Sequence, residues 1–320
     1  MKVLVTAIGG EISQSVIKCL KNSKYRPYLV GCDCNPYAGG RGDVDMFFQA
    51  PLVSQIQEYK NFLKDIILTQ QVQYVFPVSY QEIQFFHTYR GEFQENPASF
   101  VAQNAELVET FLDKFKTGLF FESIGFPFPQ TWLSEEYQNQ LDFPLVLKKR
   151  WGSGGRDFFV IQDSEELRFL LTRKENMIIQ EYLPGEDNEF TAGLFSDGRT
   201  KQTITFKRQL APGGFSQQVE LVEDERIISF PQKLAETLDF CGSLNVQFRL
   251  TEKGCIPFEV NPRFSSTVYF RHLFGFKDVE WSLDLCEGQS IVYSGPFRKG
   301  VGVRTFGEII LDEKEENSSC

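Results

Sequence analysis

Phe258-Glu259-Val260-Asn261-Pro262-Arg263, with Asn245-Val246-Gln247-Phe248 upstream, is the stretch that decides how this chain folds. In both runs apolar and polar residues alternate, the period of a half-buried strand. Residues two apart share a strand face, so Glu259 and Asn261 project together. A turn over 251–254 joins them to a strand over 243–250, and if the hairpin pairs in the obvious register Gln247 reaches the same patch. Carboxylate and amide oxygens suit a hard cation such as Mg²⁺ or Mn²⁺, best when nucleotide phosphates complete its coordination. Arg263 follows at once and is placed to hold an anion beside that metal. The plain alternative is a hairpin whose polar residues face water.

Outward from the hairpin, the chain has the composition of an ordinary globular protein. Its 320 residues are 42% hydrophobic and 24% charged, enough for about two domains and a sizeable core. The net charge of −10 argues against a generic binder of nucleic acid or of anionic membranes. Lys148-Lys149-Arg150 is a local basic exception. Val3-Leu4-Val5 is too short for a signal peptide or a membrane span, and it runs straight into a glycine turn. The seven cysteines form no C-x-x-C pair and read as reduced, structural residues of a cytoplasmic protein. Two histidines leave little room for a zinc site or a histidine-centred hydrolase.

The first hundred residues alternate strand and helix. Strands are predicted over 2–6, 27–33, 73–77 and 98–103, and helices over 11–21, 56–70 and 80–92. That rhythm implies a parallel sheet with helices on its faces. Near Gln103 the character changes. Helices over 104–111 and 113–124 lead to Gly125 and the Pro127/Pro129 pair, and strands then dominate: 144–149, 157–162, 177–181, 189–195 and 200–206. A helix over 231–238, with Pro231 in its first turn, precedes the hairpin. The expected class is α/β followed by a mixed, largely antiparallel α+β region. Residues 301–311 are expected to return to the body, and 312–320 to form a frayed acidic tail.

Two further motifs come before the hairpin. Lys148 ends a strand, and Gly152-Ser153-Gly154-Gly155 follows. Glycines near one another let backbone N–H groups approach an anion, and the lysine adds a point charge for phosphate. The spacing is not the Walker pattern, and the loop does not open a helix. Next, Ile178 to Phe190 runs through Glu181-Tyr182-Leu183, a Pro-Gly turn and acidic residues. Free strand-end backbone groups there suit a purine edge, and a carboxylate suits ribose hydroxyls.

In this order the pieces resemble the ATP-grasp superfamily. The likeness is nearest to stand-alone proteins similar to the large subunit of carbamoyl phosphate synthetase and to the carboxylate–amine ligases around them. It covers nearly the whole chain: Asp113-Lys114-Phe115 through Gly125-Phe126-Pro127, Phe143 to Lys148 with the glycine loop, Gln180 to Phe190, and the hairpin. The resemblance implies an N-terminal parallel-sheet domain over 1–103 and a two-lobed ATP-grasp domain over 104–311. The flexible lobe would cover about 115–182 and the metal-binding lobe about 183–311. By resemblance Lys114, Lys148 and the loop Gly152, Ser153, Gly154 and Gly155 contact ATP phosphates. Glu181, Tyr182 and Leu183 form the adenine hinge, and Asp187 binds ribose. Gln247, Glu259 and Asn261 ligate Mg²⁺ (or Mn²⁺), Arg263 holds the acid or stabilises its acyl phosphate, and Arg208, where the family has a loop over the active site, touches the γ-phosphate or the acid. Family members often carry glutamate where Gln247 stands.

The implied reaction is ATP-dependent ligation of a small carboxylate to an amine, with no nucleic acid or membrane partner and a homodimer as an option. Its rivals are a phosphotransferase of the same fold acting on a carboxylate or carbamate, and a non-catalytic nucleotide-binding module. Thr6-Ala7-Ile8-Gly9-Gly10 with Asp33 only partly matches a dinucleotide fingerprint and is read as fold geometry at the edge of a pocket. Pro77-Val78-Ser79 with Glu82 is a second such edge. Arg271 and His272, just past the hairpin, are further candidates for substrate contact.

Overall fold

The computed structural model describes residues 1–93, 98–152, 155, 157–185, 188–293 and 295–310. Ser153, Gly154, Asp187 and the tail 312–320 lie outside the described residues. The N-terminal part is built from β1 (Lys2–Val5), α1 (Glu11–Lys21), β2 (Tyr28–Asp33), β3 (Met46–Gln49), α2 (Ile56–Thr69), β4 (Tyr74–Phe76), α3 (Tyr80–Tyr89) and β5 (Ser99–Phe100). All five strands are parallel, in the order β3-β2-β1-β4-β5. The alternating β1 side chains reach opposite layers, as the strand period requires. Val3 and Val5 pack with Val16, Ile17 and Leu20 of α1, and Leu4 packs with Leu63, Ile66 and Ile67 of α2. The strand order reverses between β1 and β4, which opens a crevice at their carboxyl ends.

Two capped helices make the junction. Asn104 accepts from Leu107 N at the start of α4 (Ala105–Leu112), and Asp113 accepts from Phe115 N and Lys116 N at the start of α5 (Lys114–Ser123). A small antiparallel sheet follows: β6 (Thr131–Leu133), β7 (Leu145–Lys149), β8 (Phe158–Ile161), α6 (Ser164–Leu171) and β9 (Met177–Glu181), in strand order β6-β9-β7-β8. It has its own core, with Leu145, Leu147, Ile161, Met177 and Ile179 packed on Leu167. Phe121 of α5 belongs instead to the core under the larger sheet, among Phe190, Phe230 and Phe248.

That larger sheet is antiparallel and six-stranded. Its elements are β10 (Glu189–Ser196), β11 (Lys201–Leu210), β12 (Ser216–Leu221), α7 (Glu225–Thr237), β13 (Gly242–Thr251), β14 (Gly254–Asn261), α8 (Val268–Phe274), α9 (Asp278–Cys286) and β15 (Val301–Val303). The strand order is β14-β13-β10-β11-β12-β15. Phe264, Val268, Val279 and Leu283 pack into the same cluster as α1 and β1, so the two parts share a core. No helix among the described residues is long and apolar enough to cross a membrane.

Several expectations change. The helix expected to begin at Pro231 begins six residues earlier, capped by the Asp224 carboxylate, and Pro231 lies in its interior. The strand expected over 98–103 is only Ser99–Phe100, and α3 ends at Tyr89 in a short turn over Arg90–Phe93. Among the described cysteines only Cys19 and Cys32 are buried; Cys34, Cys241 and Cys286 are exposed, so the structural reading does not extend to them.

Arg271 is the largest correction. It is not a cleft residue: its side chain is 0% exposed and pairs with Asp278 at 2.7 Å. Gly193 on β10 makes the room, since a Cβ there would stand 2.5 Å from Arg271 Cδ. Removing one partner of a buried ion pair leaves the other charge uncompensated. Arg271→Met is therefore expected to destabilise the fold by roughly 3–5 kcal/mol, read as a shift in urea midpoint. A midpoint within error of the wild type would refute this role. His272 also lies away from the cleft, with its ring stacked on Tyr269 at 6.0 Å.

Candidate active site

A cleft of ≈ 1250 Å³ runs between the small sheet, the large sheet and the carboxyl ends of the parallel strands. On the small-sheet side, Val146 and Lys148 share one face of β7, with Gln180 of β9 and Phe158 of β8 beside them in register. Glu181, Tyr182 and Leu183 line the cleft where β9 ends. The Leu183 carbonyl accepts from Arg249, which also pairs with Glu189.

On the large-sheet side the hairpin pairs Gln247 opposite Glu259 and Asn245 opposite Asn261. Gln247, Glu259, Asn261 and Arg263 all line the cleft. Register slips after Gln247, so that Phe248 faces Pro257 and Phe258 is the extra residue of a bulge. Pro257 is tolerated because β14 is an edge strand. The bulge frees the Phe258 carbonyl, which lies 3.5 Å from Lys148 Nζ across the cleft. Asn261 Nδ2 donates to Glu259 Oε1 at 3.0 Å, which orients the amide and leaves its oxygen available.

Of the three basic residues at the end of β7, only Lys148 enters the cleft. Lys149 lies near Asp157, and Arg150 forks onto the Asp113 carboxylate with contacts of 2.7–2.9 Å. Lys114 does not line the main cleft. It reaches the Gly152 carbonyl at 2.7 Å and borders a small hollow behind Glu259. Asp113–Arg150 and Lys114–Gly152 thus anchor the base of the glycine loop. Arg208 faces the cleft but is engaged by the Glu189 carboxylate and by Gln247 Oε1.

Glu82 is buried and does not line the cleft. It accepts from Tyr59 and Ser79 and completes the capping box of α3. Its neighbours Val78, Ser79, Tyr80 and Gln81 do line the cleft, as do Ala7, Gly10, Glu11, Ser13 and Asp33. Gly9 N donates to Asp33 Oδ2 at 2.7 Å, and a Cβ at Gly9 would stand only 3.0 Å from that oxygen. Sequence reasoning missed Glu189, which holds Arg208 and Arg249.

Electrostatics bind these groups together. Burial alone would raise the Glu259 carboxyl, but Lys114, Lys148, the Asn261 amide and Arg263 more than offset it and hold it below the usual carboxylate range. Lys148 moves the other way: burial, then the Lys114 charge, bring it down to about 7 despite Glu259. This makes an expectation with a definite sign. Phosphate binding favours protonated Lys148, so Mg-ATP affinity should fall as pH rises from about 7 to 9, by up to about tenfold per unit. Stability of the free protein should gain from this group over the same range, because the unfolded lysine keeps its proton up to about 10.4. Calorimetry at several pH values checks it; an unchanging Mg-ATP affinity, or an identical slope in Lys148→Met, would refute it.

The donor set fits a metal held jointly with a nucleotide rather than a metal alone. Glu259 is its one carboxylate, and the described residues contain no cluster of three or more His, Cys, Asp or Glu able to hold an ion. The Glu259 carboxylate and the Asn261 amide oxygen suit Mg²⁺ when phosphate oxygens supply the remaining ligands, while Gln247 Oε1 accepts from Arg208 and would join them only if Arg208 released or shared it.

The comparisons agree with this geometry. Residues 111–267 match the family model described as an ATP-grasp domain. The carbamoyl phosphate synthase large chain of Clostridium perfringens is 27% identical over 192 residues, 55% of this chain and 18% of that protein. The corresponding protein of Clostridium botulinum (strain Alaska E43) is 30% identical over 149 residues, 42% of this chain and 14% of its own length. The chain therefore spans less than a fifth of the curated relatives it matches.

Among solved structures, the N5-carboxyaminoimidazole ribonucleotide synthetase of Thermus thermophilus superposes with a TM-score of 0.74 at 15% identity, covering 97% of this chain and 84% of the other. The biotin carboxylase domain of Hydrogenobacter thermophilus 2-oxoglutarate carboxylase gives 0.75 at 16% identity, covering 94% and 73%. At those identities the likeness concerns the fold. Residues 111–267 match an ATP-grasp domain, and the chain as a whole shares its fold with these carboxylase and synthetase structures.

Proposed function

We propose that the chain is an ATP-dependent ligase that activates a small carboxylate as an acyl phosphate for attack by an amine. The observation that carries this reading is the facing of Lys148 and the Gln247/Glu259/Asn261 hairpin across one cleft, with Arg263 beside them. Lys148 and the glycine loop would hold the phosphates, and the Glu181–Leu183 strand end would hold the adenine through backbone groups. Gln247, Glu259 and Asn261 would hold Mg²⁺, which when bound neutralises charge on the transferring phosphoryl group. Arg263 would pair with the acid or its acyl phosphate. Closing the loop would exclude water, which otherwise hydrolyses the activated acid. A homodimer is proposed on the analogy of the Hydrogenobacter domain, which is described as a dimer with MgADP, ADP and bicarbonate.

The second reading is phosphoryl transfer to a carboxylate or carbamate without amide formation. The sequence likeness to carbamoyl phosphate synthase large chains favours it. ADP release on a panel of carboxylic acids, with and without amines, separates the two. The ligase reading expects acid-dependent release that rises with amine and a product carrying both. Full release without amine, and no amide by mass spectrometry, supports the second reading.

A further inference from the structure

The segment after β15 has no part in the chemistry above, yet it braces the cleft wall. β15 adds to the edge of the large sheet, with Val303 opposite Gln218, and the chain then runs on over 304–310. Gly302 permits this close docking, since a Cβ there would stand 2.7 Å from the Phe270 ring. Arg304 N donates to the Gln217 carbonyl at 2.8 Å and extends the ladder by one residue. Its guanidinium then forks. Nε donates to the Ser216 carbonyl at 3.0 Å, and Nη2 donates to the Ser266 carbonyl.

Those two carbonyls belong to different walls of the cleft. Ser216 opens β12, just after the turn over 211–215 whose Gly213, Gly214 and Phe215 line the cleft. Ser266 stands three residues past Arg263, and it lines the cleft with Ser265. The turn itself brings little to hold it. Gly213 and Gly214 have φ of 99° and 82°, a conformation glycine adopts without strain but with no side chain to pack. Anchors reach it from outside. Ser216 N donates to Ser266 Oγ at 3.3 Å, and Ser266 Oγ donates to Ser216 Oγ at 3.2 Å. The Arg304 guanidinium lies 5.7 Å from the centre of the Phe215 ring, and Phe306 meets that ring edge-on at 6.5 Å. Further on, Ile309 seats beside Gly42, where a Cβ would stand 3.2 Å from its Cδ1. The segment thus runs from the large sheet to the N-terminal layer.

We infer that Arg304 is a positioning residue for the acid. It holds the 211–216 turn and the stretch that follows Arg263 as one wall, and residues 305–310 brace it. The inference rests on the ligase reading above and adds to it a residue that does not line the cleft. A planar guanidinium suits the task because it presents donors at a fixed angle to two acceptors at once.

The test uses the full chain with Arg304→Met and Phe306→Ala. Phe306 is 73% exposed, so its truncation is expected to leave the fold intact even where Arg304→Met does not. Amide hydrogen exchange over 210–217 is measured beside Mg-ATP affinity and steady-state ADP release with accepted acids. Exchange at the turn should speed up by at least about tenfold in Arg304→Met and by less in Phe306→Ala. Acid kcat/KM should fall by roughly 10–100-fold in Arg304→Met, the cost of a misplaced reactant, mostly through the acid KM. Phe306→Ala should move it the same way by a smaller factor, and Mg-ATP affinity should stay at the wild-type value in both. Unchanged exchange in both variants, or faster exchange with a wild-type acid KM, overturns the inference. Equal losses of acid and Mg-ATP binding also overturn it, since they mark a general loosening. Absence of acid-dependent release from the wild type is instead a failure of the ligase reading. Exchange alone then decides whether Arg304 holds the wall, upheld if faster and overturned if unchanged.

Discussion

Glu259→Gln is expected to abolish acid-dependent ADP release, a loss of at least about 10³-fold on the scale of removing a principal electrostatic stabiliser. The exchange keeps the shape of the side chain and removes the one carboxylate of the proposed metal set. Lys114, Lys148 and Arg263, which Glu259 now balances, would face one another unopposed. Lys148 would then lose its proton at still lower pH, so nucleotide binding should weaken as well as turnover. Circular dichroism should report an intact fold, because the hairpin is held by its ladder and by the apolar Val246, Phe248 and Val260 beneath it. The wild-type protein should take up Mg²⁺ measurably only with nucleotide. Wild-type turnover in the variant would remove Glu259 from the mechanism.

Arg263→Ala carries the second large effect, and its signature is a split. Arg263 stands two residues past Asn261 and, among the described residues, donates to one acceptor, the Phe264 carbonyl. Its removal should leave Mg-ATP affinity within a few-fold of the wild type. Acid-dependent turnover should fall by roughly 10²–10³-fold, the cost of losing one preorganised donor to developing negative charge. Titration with Mg-ATP beside steady-state kinetics measures both. Loss of nucleotide binding together with turnover would place Arg263 on the phosphates, and unchanged turnover would take it out of the site.

The Glu259/Asn261 pair was legible in sequence because a strand has period two, whereas a plain turn over 251–254 would set Gln247 opposite Phe258, and only the bulge at Phe258 brings Gln247 opposite Glu259. Lys148 was legible for the same reason, as the terminal residue of an apolar strand. The parallel sheet announced itself through buried runs such as Val3-Leu4-Val5 separated by amphipathic helices. What sequence hid depends on contacts between distant residues. Glu189 reads as one more acid after a turn, yet β10 sets it between Arg208 and Arg249. Arg271 reads as a candidate for substrate contact just past the hairpin, and only the glycine at 193 on another strand reveals its burial. β6 and β15 have three residues each, too few to show a period. Pro231 misled because proline usually starts a helix, whereas here the cap is Asp224.

The central claim is that the γ-phosphoryl group passes to a carboxylate in this cleft. It is tested most directly by incubating the protein with Mg-ATP, an amine and a panel of acids labelled with ¹⁸O in the carboxylate, and weighing the phosphate released. An acyl phosphate carries one carboxylate oxygen to phosphorus, so attack by the amine at the carbonyl carbon must release phosphate bearing one ¹⁸O. Labelled phosphate, produced in step with ADP and absent from Glu259→Gln, is the predicted result. ADP accompanied only by unlabelled phosphate would mean that water attacks ATP directly, and would contradict the account.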